Sequence, residues 1–350
     1  MPSLCSCEEK DNGNKSSVLQ AYELRISGKA DKAEELLNEL LKTDSTDAAA
    51  YFELARTKHH MFLGKDQLAL EEWKDVVFSL QQSVRFAPKN EIYAFYYAYA
   101  CFFNAYISMM MEKPDAGENI ASAIDAFQSV LKLDPDCHEA QLYLVDIYAY
   151  LPENMGGNRE KAGIEASALK NNDKIWGAMA DARLMPDNAD FVSYWQNVAK
   201  EAGNDVQVSE ELGRAYLLQS DTENGTKYFL EAIHADITKR YLYMNLVRYH
   251  VMLSQQNPDL KPAHLEEAER LVNLYLQSVP ALVAPVKAYA YGALGMIRMF
   301  GGDNSGSNEY KQMAASTDPY YSRGSGNPSE MLYSRPDEVK IHYSSFLMPF

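Results

Sequence analysis

The feature that most constrains this chain is that it repeats itself. Gly28-Lys29-Ala30-Asp31-Lys32-Ala33 is followed by Leu36, Leu37, Leu40 and Leu41 at helical spacing. A polar break from Asp44 to Asp47 comes next, and a new apolar-periodic stretch begins at Tyr51. A second copy starts at Leu212-Gly213, passes Tyr216 and a polar turn from Asp221 to Asn224, and places Phe229 and Ala232 on one helical face. A third starts at Leu294-Gly295, runs through Gly301-Gly302 to Ala314, and closes at Pro319, 24 residues after Gly295. Units of this kind bury their apolar faces by stacking on one another.

The small residue in the first helix, the alanine early in the second and the closing proline resemble the tetratricopeptide repeat family from about Leu19 to Pro319. Ala123, Phe127 and Pro135 have the family's spacing, as do Ala268 and Pro280, while Leu80 before Pro88 fits more loosely. The small residues let two helix backbones approach closely, and large residues fill the gaps between units. The resemblance implies an all-α, right-handed α-solenoid of helix-turn-helix repeats. Extra sequence near Met61–Leu70, Met111–Gly117 and Gln255–His264 predicts longer first helices or inserted loops. The run Leu151-Pro152-Glu153-Asn154-Met155-Gly156-Gly157-Asn158 resembles a turn of bacterial members. Pro152 ends one helix and the glycines permit positive backbone angles before the next.

The expected organisation is a flexible polar leader over 1–17, repeats over 18–170, a degenerate helical connector over 171–205, repeats over 206–319 and a tail over 320–350. Trp176 and Trp195 are the expected anchors of the connector. The tail is broken by Gly324, Gly326, Pro328, Pro336 and Pro349, yet Tyr333, Ile341, Tyr343, Phe346, Leu347 and Phe350 are apolar enough to want burial. It is expected to run extended along the last helices or into the concave groove, as a cap or a plug.

Composition narrows the function. The chain has 350 residues, 47% of them hydrophobic and 23% charged, enough to bury a large core. Its 33 basic and 49 acidic residues give a net charge of −16, which repels nucleic-acid phosphates. Ile92 to Met111 is twenty residues without a charge. Tyr96, Tyr97, Tyr99 and Asn104 at its middle argue for a packed central helix rather than a membrane span. Leu4-Cys5-Ser6-Cys7 before a polar stretch resembles the end of a bacterial lipoprotein signal. Cys7 would then be lipidated and the protein placed at the cell envelope if the reading frame extends upstream of Met1; otherwise the expected location is the cytoplasm.

Catalytic motifs are missing. His59-His60 point about 100° apart on a helix, poor geometry for one metal, and no H-E-x-x-H, C-x-x-C, G-x-S-x-G or calcium loop occurs. No cofactor or metal is expected, and the chain reads as a non-catalytic scaffold. The carboxylate clamp of the family's chaperone-binding members is absent. Glu210 and Arg214 stand where its first lysine and asparagine belong, Asn245 matches alone, and Tyr289 and Ala293 replace the basic pair. The first helices, which line the concave face in this family, offer tyrosine instead. Tyr93, Tyr96, Tyr97, Tyr243, Asn245 and Tyr289 are the candidate groove residues, because tyrosine supplies contact area with a hydrogen-bonding tip. The expected ligand is a protein or peptide. The alternative is a small molecule or substrate, bound as part of a cell-envelope uptake or assembly system.

Overall fold

The computed structural model describes residues 5–63, 70–203, 205–320 and 330–341, with side chains from residue 15 onward and from residue 332 in the last segment. Sixteen long helices follow in order: α1 Cys5–Ile26, α2 Ala30–Thr43, α3 Ala48–Leu63, α4 Leu70–Phe86, α5 Glu91–Met110, α6 Ala116–Leu133, α7 His138–Tyr150, α8 Arg159–Asn172, α9 Lys174–Leu184, α10 Phe191–Ala202, α11 Val206–Leu218, α12 Thr222–Ala235, α13 Tyr241–Gln256, α14 Lys261–Leu276, α15 Ala284–Phe300 and α16 Asn304–Thr317. One turn, α17 Glu330–Tyr333, lies in the tail. There is no strand among the described residues.

Acidic and amide residues in the polar breaks start many of these helices. Asn90, Asn158, Asp190, Asp221 and Asp303 each accept a hydrogen bond from the backbone N–H three residues on, at 2.9–3.0 Å. The helices pack as consecutive pairs from α1/α2 to α7/α8 and again from α11/α12 to α15/α16. Small residues set the close approaches. A Cβ on Gly213 would stand 2.2 Å from the Phe229 ring, so α11 can lie against α12 only with glycine there. The Pro152 turn is a single 3-10 turn, Glu153–Met155, closed by Gly156 at a φ of 92°.

The connector region holds two helices, with Trp195 buried and Trp176 half-buried. There α9 packs on α7 and α8, while α10 leans mainly on α11. The segment expected as a polar leader is helical from Cys5 on, as the start of α1. The side chain of Cys7 lies outside the described residues.

Four apolar clusters run along the array. They are centred on α1–α3, α3–α8, α7–α11 and α11–α15. Helix α5 is buried on several sides, with Phe95, Phe127 and Tyr143 in mutual ring contact. No helix among the described residues is long and apolar enough to cross a membrane.

The array returns on itself. Ile26 and Leu63, at the ends of α1 and α3, pack against the α11–α15 cluster. Gly28 meets the end of α16 so closely that a Cβ there would stand 2.3 Å from the Thr317 carbonyl oxygen. First and last repeats therefore share one junction, and the described part of the tail lies in it.

Candidate functional site

The junction is built on one stripe of α3. Glu53, Arg56, Thr57 and His60 follow i, i+3, i+4, i+7 spacing, so they share a helical face, and all are buried. Arg25 of α1 faces them. Its Nε donates to Glu53 Oε1 at 2.8 Å, and Arg56 Nη1 donates to Glu53 Oε2 at 2.9 Å. One carboxylate thus orients two guanidinium groups, all within about 1% exposure, and leaves each with donors to spare.

Those donors hold the tail by its backbone. Arg25 Nη1 donates to the Leu332 carbonyl at 2.5 Å and Arg56 Nη2 to the same oxygen at 2.9 Å. Arg56 Nη2 also donates to the Ser334 carbonyl, and the Tyr22 hydroxyl to the Tyr333 carbonyl at 2.9 Å. Three successive carbonyls are read by three side chains from α1 and α3. Burial together with the neighbouring Arg25 draws Arg56 below its ordinary pKa, against the pull of Glu53.

Two side chains of the tail enter the junction. Leu332 shares a hollow of about 10 Å³, room for one water molecule, with Arg56, His59, Trp73, Leu80, Tyr96 and Tyr99 among its lining residues. The Tyr333 hydroxyl meets His60 Nδ1 at 3.1 Å, and His60 Nε2 meets Asp318 Oδ2 at 3.0 Å. Burial lowers the His60 pKa, outweighing the pull of Asp318. In the tautomer with its proton on Nε2, His60 donates to Asp318 and accepts from the Tyr333 hydroxyl at Nδ1. Burial likewise raises Tyr333 well above the usual phenol range. Beyond this point Val339 and Ile341 pack on the α3–α8 cluster, whereas Leu332 and Tyr333 join the α11–α15 cluster.

The six groove residues expected from sequence fall into two separate sets. Tyr93 stacks on Phe52 of α3 at 4.5 Å and Tyr96 meets the same ring edge-on at 5.1 Å. Tyr96 also borders the Leu332 hollow. Tyr97 turns instead toward Cys101 and Gln81 of α4. Tyr243 and Tyr289 are buried in the α11–α15 cluster, where Arg248 donates to both Asn245 and the Tyr289 hydroxyl. Tyr22, Arg25, Glu53, Arg56, His60 and Asp318 were not singled out by sequence, although charge on the apolar stripe of α3 is a readable signal. Among the described residues no group of three or more His, Cys, Asp or Glu is placed to hold a metal ion.

A second buried polar cluster lies at α11–α13. Glu210 accepts from Arg214 at 2.5 Å, Lys239 at 2.8 Å and the Tyr241 hydroxyl at 2.9 Å. Burial raises its carboxyl, but Arg214 and Lys239 outweigh that and hold it at about 2.

The tetratricopeptide repeat model matches residues 115–153, which contain α6 and α7. Among solved structures, the MamA protein is similar at 15% identity, over 65% of this chain and 94% of that one, with a TM-score of 0.31. PilW, a widely conserved type IV pilus biogenesis factor, is similar at 14% identity over 73% and 90%, with a TM-score of 0.30. The C-terminal part of a TPR repeat-containing protein from Cytophaga hutchinsonii is similar at 13% identity over 86% and 95%, with a TM-score of 0.31. None of the curated proteins matches the chain. With its stacked helix pairs, the chain is an α-solenoid of helix-turn-helix repeats, one of which, at α6–α7, matches the tetratricopeptide repeat.

Proposed function

We propose that the row of first helices at the junction is a peptide-binding groove, and that the protein binds a short segment of a partner protein there without chemical change to it. The observation that carries this reading is the grip on three successive backbone carbonyls, Leu332 to Ser334, by Arg25, Arg56 and Tyr22. Carbonyl recognition of this kind is independent of side chains, and it is directed at the C-terminal end of the helical turn Glu330–Tyr333. The alternative of a small-molecule site has less support, since two hollows among the described residues, one beside Leu332 and one between α5 and α6, each offer about 10 Å³.

A specific protease site placed between residues 321 and 329 tests this in an otherwise complete chain. After cleavage the C-terminal fragment is no longer held covalently, and its binding to the remaining chain is read by native mass spectrometry. The expected result is a 1:1 complex from which excess synthetic peptide of residues 329–341 displaces the fragment. Loss of the fragment without rebinding, from a body that keeps its helical circular dichroism, would contradict the reading.

A further inference from the structure

The tail also bears on the shape of the array. Among the described residues, every broad helix-to-helix contact joins elements that are neighbours or next neighbours along the chain, and none of them joins α1–α3 to α11–α16. What brings the two ends together directly is narrow. It includes the approach of Gly28 to the Thr317 carbonyl, Ile26 and Leu63 against the α11–α15 cluster, and the His60–Asp318 hydrogen bond. Surfaces that touch so narrowly leave a gap, and a gap forfeits the contacts that a packed interior makes.

Residues 332–341 fill that gap by facing both walls. Leu332 lines a hollow with Trp73 of α4 and Tyr96 of α5, and it also belongs to the α11–α15 cluster. Tyr333 is buried in the same cluster, while its hydroxyl meets His60 of α3 and its carbonyl takes the Tyr22 hydroxyl of α1. Val339 and Ile341 then pack on the α3–α8 cluster. A plug seated in one groove would touch the first repeats alone. This segment is shared between first and last repeats, so its apolar burial and its hydrogen bonds stabilise closure of the array as well as its own docking.

We infer that the tail is a regulatory strap: docked, it holds the first and last repeats together and covers the carbonyl-binding face of α1 and α3; displaced, it lets the array open and yields that face to a partner. The inference rests on the groove proposed above and adds its regulation. A partner segment competes with a tail whose Leu332 follows Asp318 by 14 residues. A tether this short sets an effective concentration on the order of millimolar. A segment that binds the released face at about 100 µM therefore binds the intact chain roughly tenfold more weakly. The opened array closes again around a segment that refills the space between the two walls.

Leu332→Asp with Val339→Asp places a carboxylate in each of the two apolar clusters and alters nothing on α1 or α3, so it is expected to release residues 330–341 in hydrogen exchange without loss of helical circular dichroism. Lys32→Cys on α2 and Gln312→Cys on α16, at exposed positions, carry spin labels, with Cys5 and Cys7 replaced by serine, and double electron–electron resonance reads the separation of the ends. The docked tail is expected to give one narrow distance and the released tail a longer, broader distribution, which synthetic peptide of residues 329–341 returns to the narrow one. The same peptide is expected to bind the released chain about tenfold or more tightly than the intact chain. The chain cleaved between residues 321 and 329 and freed of its fragment gives the same comparison without the two tail substitutions. An unchanged distance after release, or equal peptide affinity for intact and released chains, would overturn the strap while leaving the peptide groove standing. A longer distance with no peptide binding would overturn the groove and its regulation, leaving closure by the tail in place.

Discussion

Two buried clusters in this molecule have nearly the same inventory and different consequences. At α11–α13, Glu210 takes donors from Arg214, Lys239 and Tyr241, all within 31 residues of it, and Lys239 is further held by Gln207. Neighbouring elements of the array satisfy one another, and the cluster is a cross-link between repeats. At the junction, Glu53 likewise gathers two cations, but their remaining donors reach Leu332, 276 to 307 residues away in sequence. A carboxylate saturated by its neighbours fixes a repeat interface. A carboxylate that leaves guanidinium donors aimed across a gap makes a receptor for backbone carbonyls.

The sharpest way to break this comparison is to remove one member of each cluster. Glu210→Gln takes from Arg214 and Lys239 the carboxylate they share, and Arg56→Met leaves Glu53 with Arg25 and removes the Arg56 donors from the Leu332 and Ser334 carbonyls. Each should cost about 3–5 kcal/mol in chemical denaturation. The two should differ in hydrogen exchange, since only Arg56→Met should release residues 330–341. Equal exchange of the tail in both variants would erase the distinction.

Phenylalanine substitutions give a smaller contrast. Tyr333→Phe removes the hydroxyl bonded to His60 Nδ1 and should cost about 1–2 kcal/mol, again with tail exposure. Tyr241→Phe should cost about 1 kcal/mol or less, because Glu210 keeps both cations. Thermal melts of the two variants rank them, and a larger loss for Tyr241→Phe would reverse the account.

Mild acid is the gentlest perturbation and should separate the clusters in order. The His60 pKa is lowered in the docked state from its ordinary 6.5, so the released state binds the proton more readily. Its contribution is complete above pH 6.5 and weakens as the pH falls below that. Glu210, held at about 2 against an ordinary 4.5, contributes fully above pH 4.5 and fades only as the pH drops toward 2. Between these windows the tail should loosen while α11–α13 stays intact. Tyrosine fluorescence and exchange measured from pH 7 to 5 check this, and loosening of both regions together would count against it.

Much of the array was legible in the sequence because its signals are local. Leu212-Gly213 and Phe229 predict a close helix pair, and the Gly213–Phe229 contact is that pair. The uncharged run of α5 reads as a central helix, and the ring contacts of Phe95 with Phe127 and Tyr143 explain it. The junction is a different matter. Arg25, His60, Asp318 and Tyr333 come from four distant segments, and no spacing rule links them. Repeat periodicity describes how each unit meets the next, whereas the meeting of first and last units depends on the curvature accumulated over the whole array. Tyrosine content pointed to the first helices, but the residues that grip the tail there are chiefly arginines on the apolar stripe of α3 and its neighbour.

The central claim is that α1 and α3 hold a segment of the tail by its carbonyls, and hydrogen exchange of the complete chain at neutral pH tests it most directly. Residues 330–341 should exchange much more slowly than a free peptide of that sequence, and the joint change Arg25→Met and Arg56→Met should abolish the protection while α11–α16 keep theirs. Free-peptide exchange of residues 330–341 in the unaltered chain would contradict the account.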